Sequence, residues 1–166
     1  MGLTSPFISA NTFQPSLAGV ISVDAEQSND ASDKKEREDL LAERAEKIDA
    51  FFKKRSMPLA GYGAKMVAAA EDNDIDWRLL PAIAVRESSG GIQACGYNPF
   101  GWASCKVTFK SYNEAITTLG RNLGGNNPNT AAYYSGPTER KLHHYNGTVM
   151  PTYPQEVLDI MENIGR

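Results

Sequence analysis

Glu87 is the residue of this sequence whose type and position most favour chemistry. On a predicted helix over residues 77–88 it continues an apolar stripe at spacings of i, i+3, i+4 and i+7. The apolar members of that stripe are Leu80, Ile83 and Ala84. Burial among them disfavours the carboxylate anion, and the carboxyl terminus of the helix acts in the same direction. Both effects favour a protonated carboxyl that can serve as a general acid, whereas the alternative is a plain ion pair with Arg78 or Arg86.

A loop bracketed by Cys95 and Cys105 follows that helix. The spacing allows a disulfide that would stabilise the fold by about 2.5–3 kcal/mol and indicate an oxidising compartment, while the alternative is two free thiols in the core. The loop contains three aromatic rings and an amide, and these groups suit the apolar faces and polar edges of sugars. They belong to Tyr97, Asn98, Phe100 and Trp102. The same rings are also typical of a small loop core.

A series of ordered motifs occupies residues 62–164. It includes DWRLLPAIAVRESSGG at 76–91, NPFGW at 98–102 and SYNEAI at 111–116. Tyr145-Asn146-Gly147 and then Tyr153-Pro154 follow nearer the carboxyl terminus. The set resembles the lysozyme-like, lytic-transglycosylase-related glycosidases, and within them the bacterial endo-β-N-acetylglucosaminidase-like group. This resemblance implies a lysozyme-like fold for what the residues themselves predict to be an all-α, helical domain with one irregular, disulfide-closed loop.

The resemblance also implies roles for individual residues. Glu87 would be the catalytic acid/base, and Tyr145 would lie beside it, hydrogen-bonded to the carboxyl or to the substrate. One wall of the sugar cleft would be formed by Asn98, Phe100, Trp102 and Ser104. From the residues alone, Tyr134 adds a further ring to the cleft or packs in the core. The segment GWAS at 101–104 departs from the Gly-Leu-Met-Gln pattern of the transglycosylases, so an amide that often contacts the sugar is missing.

Glycoside hydrolysis ordinarily uses two carboxyl groups, and the sequence offers few candidates for a second one. No Asp or Glu lies between Glu87 and Glu114, and Glu114 is expected to complete a capping box with Ser111. Glu139 is a distant candidate. We therefore expect a mechanism with one acid, in which Glu87 protonates the leaving oxygen and the N-acetyl group of the substrate stabilises the cationic centre. Glu87 would then act as a base on water or on the 6-hydroxyl of the sugar.

These expectations describe a peptidoglycan-cleaving glycosidase that acts on β-1,4 links between N-acetylated amino sugars. It would be either lytic transglycosylase-like or a substrate-assisted endo-β-N-acetylglucosaminidase. The implied partner is peptidoglycan or another N-acetylglucosamine-containing glycan, and no cofactor is expected. One alternative is a non-catalytic glycan-binding module that retains the cleft. Another is a structural envelope protein organised by an N-terminal helix.

The chain divides by composition into three parts. Residues 1–30 are rich in Ser, Asn, Thr and Pro, which predicts a disordered leader or the remnant of a secretion signal. Residues 31–56 predict a charged amphipathic helix, with a short coiled-coil segment as the alternative. Its apolar stripe consists of Leu41, Ala45, Ile48 and Phe52. Residues 57–166 predict the catalytic domain, a series of helices with one long irregular loop over 89–109.

Composition and charge exclude several classes of function. The chain has 17 Lys and Arg against 20 Asp and Glu, a net charge of -3, which gives no electrostatic reason to bind nucleic acid. No apolar run of membrane-spanning length is present. Two cysteines are too few for a zinc ribbon or an iron–sulfur cluster, and His143 and His144 point apart with no third ligand nearby, so no metal is expected. We expect a monomer that is secreted or located in the cell envelope.

Overall fold

The computed structural model describes the backbone of residues 23–166 and the side chains from residue 30 onward, so most of the predicted leader lies outside it. Within this range the protein is helical and has no strand, which confirms the all-α prediction for the described residues. The helices are α1 (Val23–Lys54), α2 (Gly63–Glu71), α3 (Leu79–Ser88), α4 (Tyr112–Leu123), α5 (Ala131–Tyr134), α6 (Thr138–Leu142) and α7 (Tyr153–Gly165). None of these helices has the length and apolar character needed to cross a membrane.

The larger compact unit begins well before the predicted domain start at residue 57. The chain divides between Glu36 and Arg37, and the second unit runs to the carboxyl terminus. The later part of α1 belongs to this unit because it buries Ile48 and Phe52 completely in the core. The carboxylate of Asp49 also accepts backbone N–H bonds from the start of α2, including one from Gly63 at 2.8 Å. The charged helix from Arg37 onward is therefore part of the unit that holds the site.

Helix α3 lies at the centre of the core and packs against α2, α4 and α7. Its first residue is Leu79 rather than the predicted Trp77, because Arg78 donates its backbone N–H and its guanidinium to the carboxylate of Asp76. Pro81 consequently falls in the first turn, where its missing N–H removes no helical hydrogen bond. Pro81 is therefore compatible with a regular first turn.

The predicted cap of α4 is present in a shifted form. Ser111 Oγ accepts the backbone N–H of Glu114 at 3.2 Å, as in a capping box. The carboxylate of Glu114 returns to the backbone N–H of Lys110 at 2.6 Å, one residue before the capping serine. These two bonds cap the exposed first turn of α4, whose apolar face packs against α2 and α3.

Residues 138–147 form two consecutive elements. Helix α6 ends at Leu142, and a π-helical turn, His143–Gly147, continues the chain. Such wider turns are uncommon and often occur at functional sites. Here the turn places Tyr145 and Asn146 on the wall of the pocket described next.

Candidate active site

A pocket of about 450 Å³ opens beside the carboxyl-terminal end of α3. Its walls come from α3, the disulfide-closed loop, α5 and the π-helical turn. The described residues that line it are Glu87, Gly101, Trp102, Ala103, Ser104, Tyr134, Tyr145 and Asn146. Among these, Glu87 is the single ionisable carboxyl group. Five of the seven predicted site residues therefore come together here: Glu87, Trp102, Ser104, Tyr134 and Tyr145.

The carboxyl of Glu87 has two different oxygens. Oε1 is buried and has no hydrogen-bond partner among the described residues. Oε2 lies 2.9 Å from the point where a Cβ on Gly101 would stand, and the positive φ of 61° at that residue also favours glycine. Only a glycine leaves the carboxyl this much room. Burial raises the pKa of Glu87, which favours the proton-bearing form that a general acid needs.

Tyr153 lies close to Glu87 and is a site residue that the sequence did not predict. It is the first residue of α7, it is completely buried, and its hydroxyl makes no well-formed hydrogen bond within the described structure. Burial and the nearby Glu87 carboxyl raise the pKa of Tyr153, so the phenol keeps its proton and can donate it. This nearby donor lowers the pKa of Glu87 and so partly offsets the effect of burial. The sequence analysis singled out the Tyr153-Pro154 motif, but that motif predicted no role for Tyr153 in the site.

Neither of the two neighbouring arginines forms the ion pair with Glu87 that the alternative interpretation requires. Arg78 pairs with Asp76 at 2.6 Å. Arg86 pairs with Glu156 of α7 at 2.5 Å, and its guanidinium lies 5.7 Å from the centre of the Tyr153 ring. The charge of Arg86 lowers the pKa of Glu87 only as the smallest of its three influences. The described structure therefore leaves Glu87 as an unpaired acid.

Aromatic rings surround the carboxyl. The centre of the Trp102 ring lies 5.9 Å from that of Tyr134 and 5.8 Å from that of Tyr145. Tyr145 in turn stacks on Tyr153, with centres 6.0 Å apart and planes at 9°. The resemblance implied a hydrogen bond from Tyr145 to the carboxyl or to the substrate. In the structure the Tyr145 hydroxyl donates to the Phe100 carbonyl at 2.6 Å. Tyr145 thus contributes a ring to the pocket wall, and its hydroxyl attaches the π-helical turn to the disulfide-closed loop.

Asn98 and Phe100 do not line the pocket, which corrects their predicted role. Phe100 is completely buried in the core and Asn98 is nearly so. The Asn98 amide donates to the Trp102 carbonyl at 3.0 Å and accepts the Trp102 N–H at 3.0 Å. Both residues are enclosed because the loop folds back over them. Asn98 holds the backbone of Trp102 in place, and neither residue has free surface to offer a ligand.

The disulfide between Cys95 and Cys105 is present, as predicted from their spacing. It closes the loop next to three consecutive left-handed residues, Ala103, Ser104 and Cys105, with φ of 53°, 55° and 61°. Each such conformation costs a residue with a side chain about 1–2 kcal/mol. Ala103 and Ser104 line the pocket, so this strained turn forms part of its wall. The sequence carries no composition signal for such a turn.

Other candidate groups lie outside this constellation. Glu139 is exposed on α6, and Glu114 is engaged at the start of α4. The ring centres of His143 and His144 lie 5.7 Å apart. No described group of three His, Cys, Asp or Glu side chains is arranged to hold a metal ion.

No protein-family model, no curated protein and no solved structure matches this chain. The function must therefore be inferred from the pocket itself.

Proposed function

We propose that this protein is a glycosidase that cleaves β-1,4 links between N-acetylated amino sugars, with Glu87 as its single acid/base. The observation that carries the proposal is one unpaired, half-buried carboxyl in a pocket walled by three aromatic rings. Its substrate would be peptidoglycan or another N-acetylglucosamine-containing glycan. A lysozyme-like arrangement of the helices belongs to the same proposal.

The walls of the pocket suit a sugar. Sugar rings present apolar C–H faces that pack on aromatic rings, and Trp102 with Tyr134 offers such a surface. Asn146 and Ser104 supply polar groups near the same space. The volume of about 450 Å³ falls in the usual range for small-ligand sites, which fits one or two sugar units rather than a long chain.

The chemistry follows from a single proton. Glu87 donates its proton to the glycosidic oxygen as the C–O bond breaks, and the leaving sugar departs as an alcohol. Because no second carboxyl lines the described pocket, the carbonyl oxygen of the substrate's own N-acetyl group stabilises the cationic carbon. Glu87, now ionised, removes a proton from water or from the 6-hydroxyl of the same sugar. The first route is hydrolysis, and the second gives an anhydro sugar.

The disulfide bears on where this reaction takes place. Disulfides form and persist in oxidising compartments. Since the loop closed by Cys95 and Cys105 carries part of the pocket wall, the active form would be the oxidised one. We place the protein outside the cytoplasm, secreted or in the cell envelope, acting as a monomer.

The test compares Glu87→Gln with Glu139→Gln, which changes an exposed glutamate of α6. Both variants should keep the helical circular-dichroism spectrum. With purified peptidoglycan and with N-acetylglucosamine oligomers, we expect Glu87→Gln to lose at least about a hundredfold in rate, and Glu139→Gln to match the parent protein. Full activity in the first variant, or equal loss in both, would refute the one-acid mechanism.

Two further readouts separate the outcomes. In heavy-oxygen water, label in the new reducing end indicates hydrolysis, whereas an unlabelled product lighter by one water indicates transglycosylation. Binding to insoluble peptidoglycan with no release of soluble fragments would instead support a non-catalytic glycan-binding module. The substitution Glu87→Gln would then leave that binding nearly unchanged.

A further inference from the structure

Lys141 is a buried cation that the proposed reaction does not use. It lies on α6 with only 7% of its surface exposed, and it is the one Lys or Arg so deeply buried among the described residues. Its ammonium donates to the carbonyl of Leu123 at 2.6 Å and to the carbonyl of Tyr134 at 2.5 Å. Taking an ammonium out of water is costly, so its placement needs a structural reason.

The two acceptors explain the placement. Leu123 is the last residue of α4, where carbonyl groups have no partner within the helix. A cation there also interacts favourably with the negative end of the helix. Tyr134 is the last residue of α5, which is only four residues long. Lys141 therefore ties the end of a long, buried helix to the end of a short one.

Tyr134 is the residue that gains most from this tie. Its neighbours Tyr133 and Ser135 are exposed, yet Tyr134 itself is buried and its ring faces both the pocket and Trp102. A four-residue helix is too short to be stable by itself. Outside contacts must hold its backbone, and the bond from Lys141 acts at the peptide carbonyl of Tyr134 itself.

We propose that Lys141 is a positioning residue for the sugar-binding wall, fixing the backbone of Tyr134 so that its ring and that of Trp102 form one surface. As a contribution to catalysis, this inference rests on the proposed glycosidase function. Lys141 does not touch the substrate. It does not line the pocket and acts through the carbonyl of Tyr134.

The test uses Lys141→Met, which keeps most of the length of the side chain and removes the donors. Arg140→Met is the matched control, because it removes an exposed cation from the neighbouring position of the same helix. Lys141→Arg is the conservative rescue. All are made in a Trp77→Phe background, which leaves Trp102 as the sole tryptophan of the chain. If Lys141→Met does not fold, Lys141→Gln, which retains a shorter donor, enters the same measurements.

The first readout is quenching of Trp102 fluorescence by acrylamide, which needs no substrate. We expect the quenching constant to rise in Lys141→Met, to stay at the parental value in Arg140→Met, and to return at least partly in Lys141→Arg. Equal quenching in Lys141→Met and the parent would overturn the inference. The quenching measurement does not depend on the reaction. A negative result would therefore refute the role of Lys141 without bearing on the proposed glycosidase function.

The second readout is steady-state kinetics with an N-acetylglucosamine oligomer. A displaced wall weakens positioning of the sugar, so we expect KM to rise about tenfold while kcat changes less than about twofold. A merely structural role would reduce the folded fraction, which lowers kcat and leaves KM unchanged, and that result would count against the inference. Absence of turnover in the parent as well would refute the glycosidase proposal, with the quenching result still deciding the role of Lys141.

Discussion

Ionised Glu87 should destabilise the folded protein, so the stability should fall as the pH rises. The substitution Glu87→Gln tests this pH dependence without any knowledge of the substrate. The substitution preserves the shape of the side chain and removes its ability to ionise. Burial raises the pKa of the folded carboxyl above its ordinary value of 4.5, which it recovers on unfolding. The folded protein therefore holds this proton more tightly than the unfolded chain does.

The sign and size follow from proton linkage. Below pH 4.5 the carboxyl is neutral in both states, and the parent and the variant should differ little. As the pH rises towards the folded pKa, the parent loses stability relative to the variant by at most about 1.36 kcal/mol per pH unit. The loss lies below that ceiling because Glu87 is only half-buried, which limits the shift of its pKa. With an m-value of about 1.5 kcal/mol per M, the ceiling corresponds to about 0.9 M in the urea midpoint per pH unit.

The assay is urea unfolding followed by circular dichroism, in steps from pH 3 to pH 8, for the parent, Glu87→Gln and Glu139→Gln. Groups common to all three proteins cancel in the differences. We expect the stability of Glu87→Gln to exceed that of the parent increasingly with pH and then to level off above the folded pKa. Parallel curves for the parent and Glu87→Gln at every pH would refute the buried-acid reasoning, and so would a gap that opens only as the pH falls.

Two further predictions concern the surroundings of that carboxyl. The substitution Tyr153→Phe removes a donor that lowers the pKa of Glu87, so the alkaline limb of the pH–rate profile should move to higher pH. An unmoved limb would mean that Tyr153 does not influence the pKa of Glu87. Replacing Cys95 and Cys105 together by alanine should lower the free energy of unfolding by about 2.7 kcal/mol, measured by urea unfolding, because the bridge joins positions 10 apart. An unchanged midpoint would mean that the loop is held closed without it.

Periodic patterns carried most of the fold that could be predicted. Apolar spacing predicted α3, and the Ser111 cap predicted the start of α4. These signals are local, since residues three and four apart share one face and a cap needs one side chain. The start of the compact unit could not be predicted from such local signals. The apolar stripe with Ile48 and Phe52 was visible, but the sequence did not show that these residues pack into a core formed by distant residues.

The site divides in the same way. The apolar stripe that ends in Glu87 was visible because a helix brings its members together. The sequence could not distinguish a ring that faces a ligand from one that supports the loop behind it, and so Phe100 was assigned to the cleft with Trp102. Only the folded loop shows that Phe100 is enclosed while Trp102 is not. Tyr153 and Lys141 were missed for a related reason, since their partners lie on other elements.

The pocket wall depends on buried polar groups that bond to backbone rather than to ligand. Asn98 holds the backbone of Trp102, the Tyr145 hydroxyl holds the carbonyl of Phe100, and Lys141 holds the carbonyl of Tyr134. These bonds fix the rings in place, and a fixed wall is what allows the Oε1 atom of Glu87 to remain buried with no hydrogen-bond partner among the described residues. The unpaired acid is costly to stability and useful to proton transfer for the same reason, namely its poor solvation. Activity and stability should therefore change in opposite directions at Glu87 and in the same direction at the residues that hold the wall.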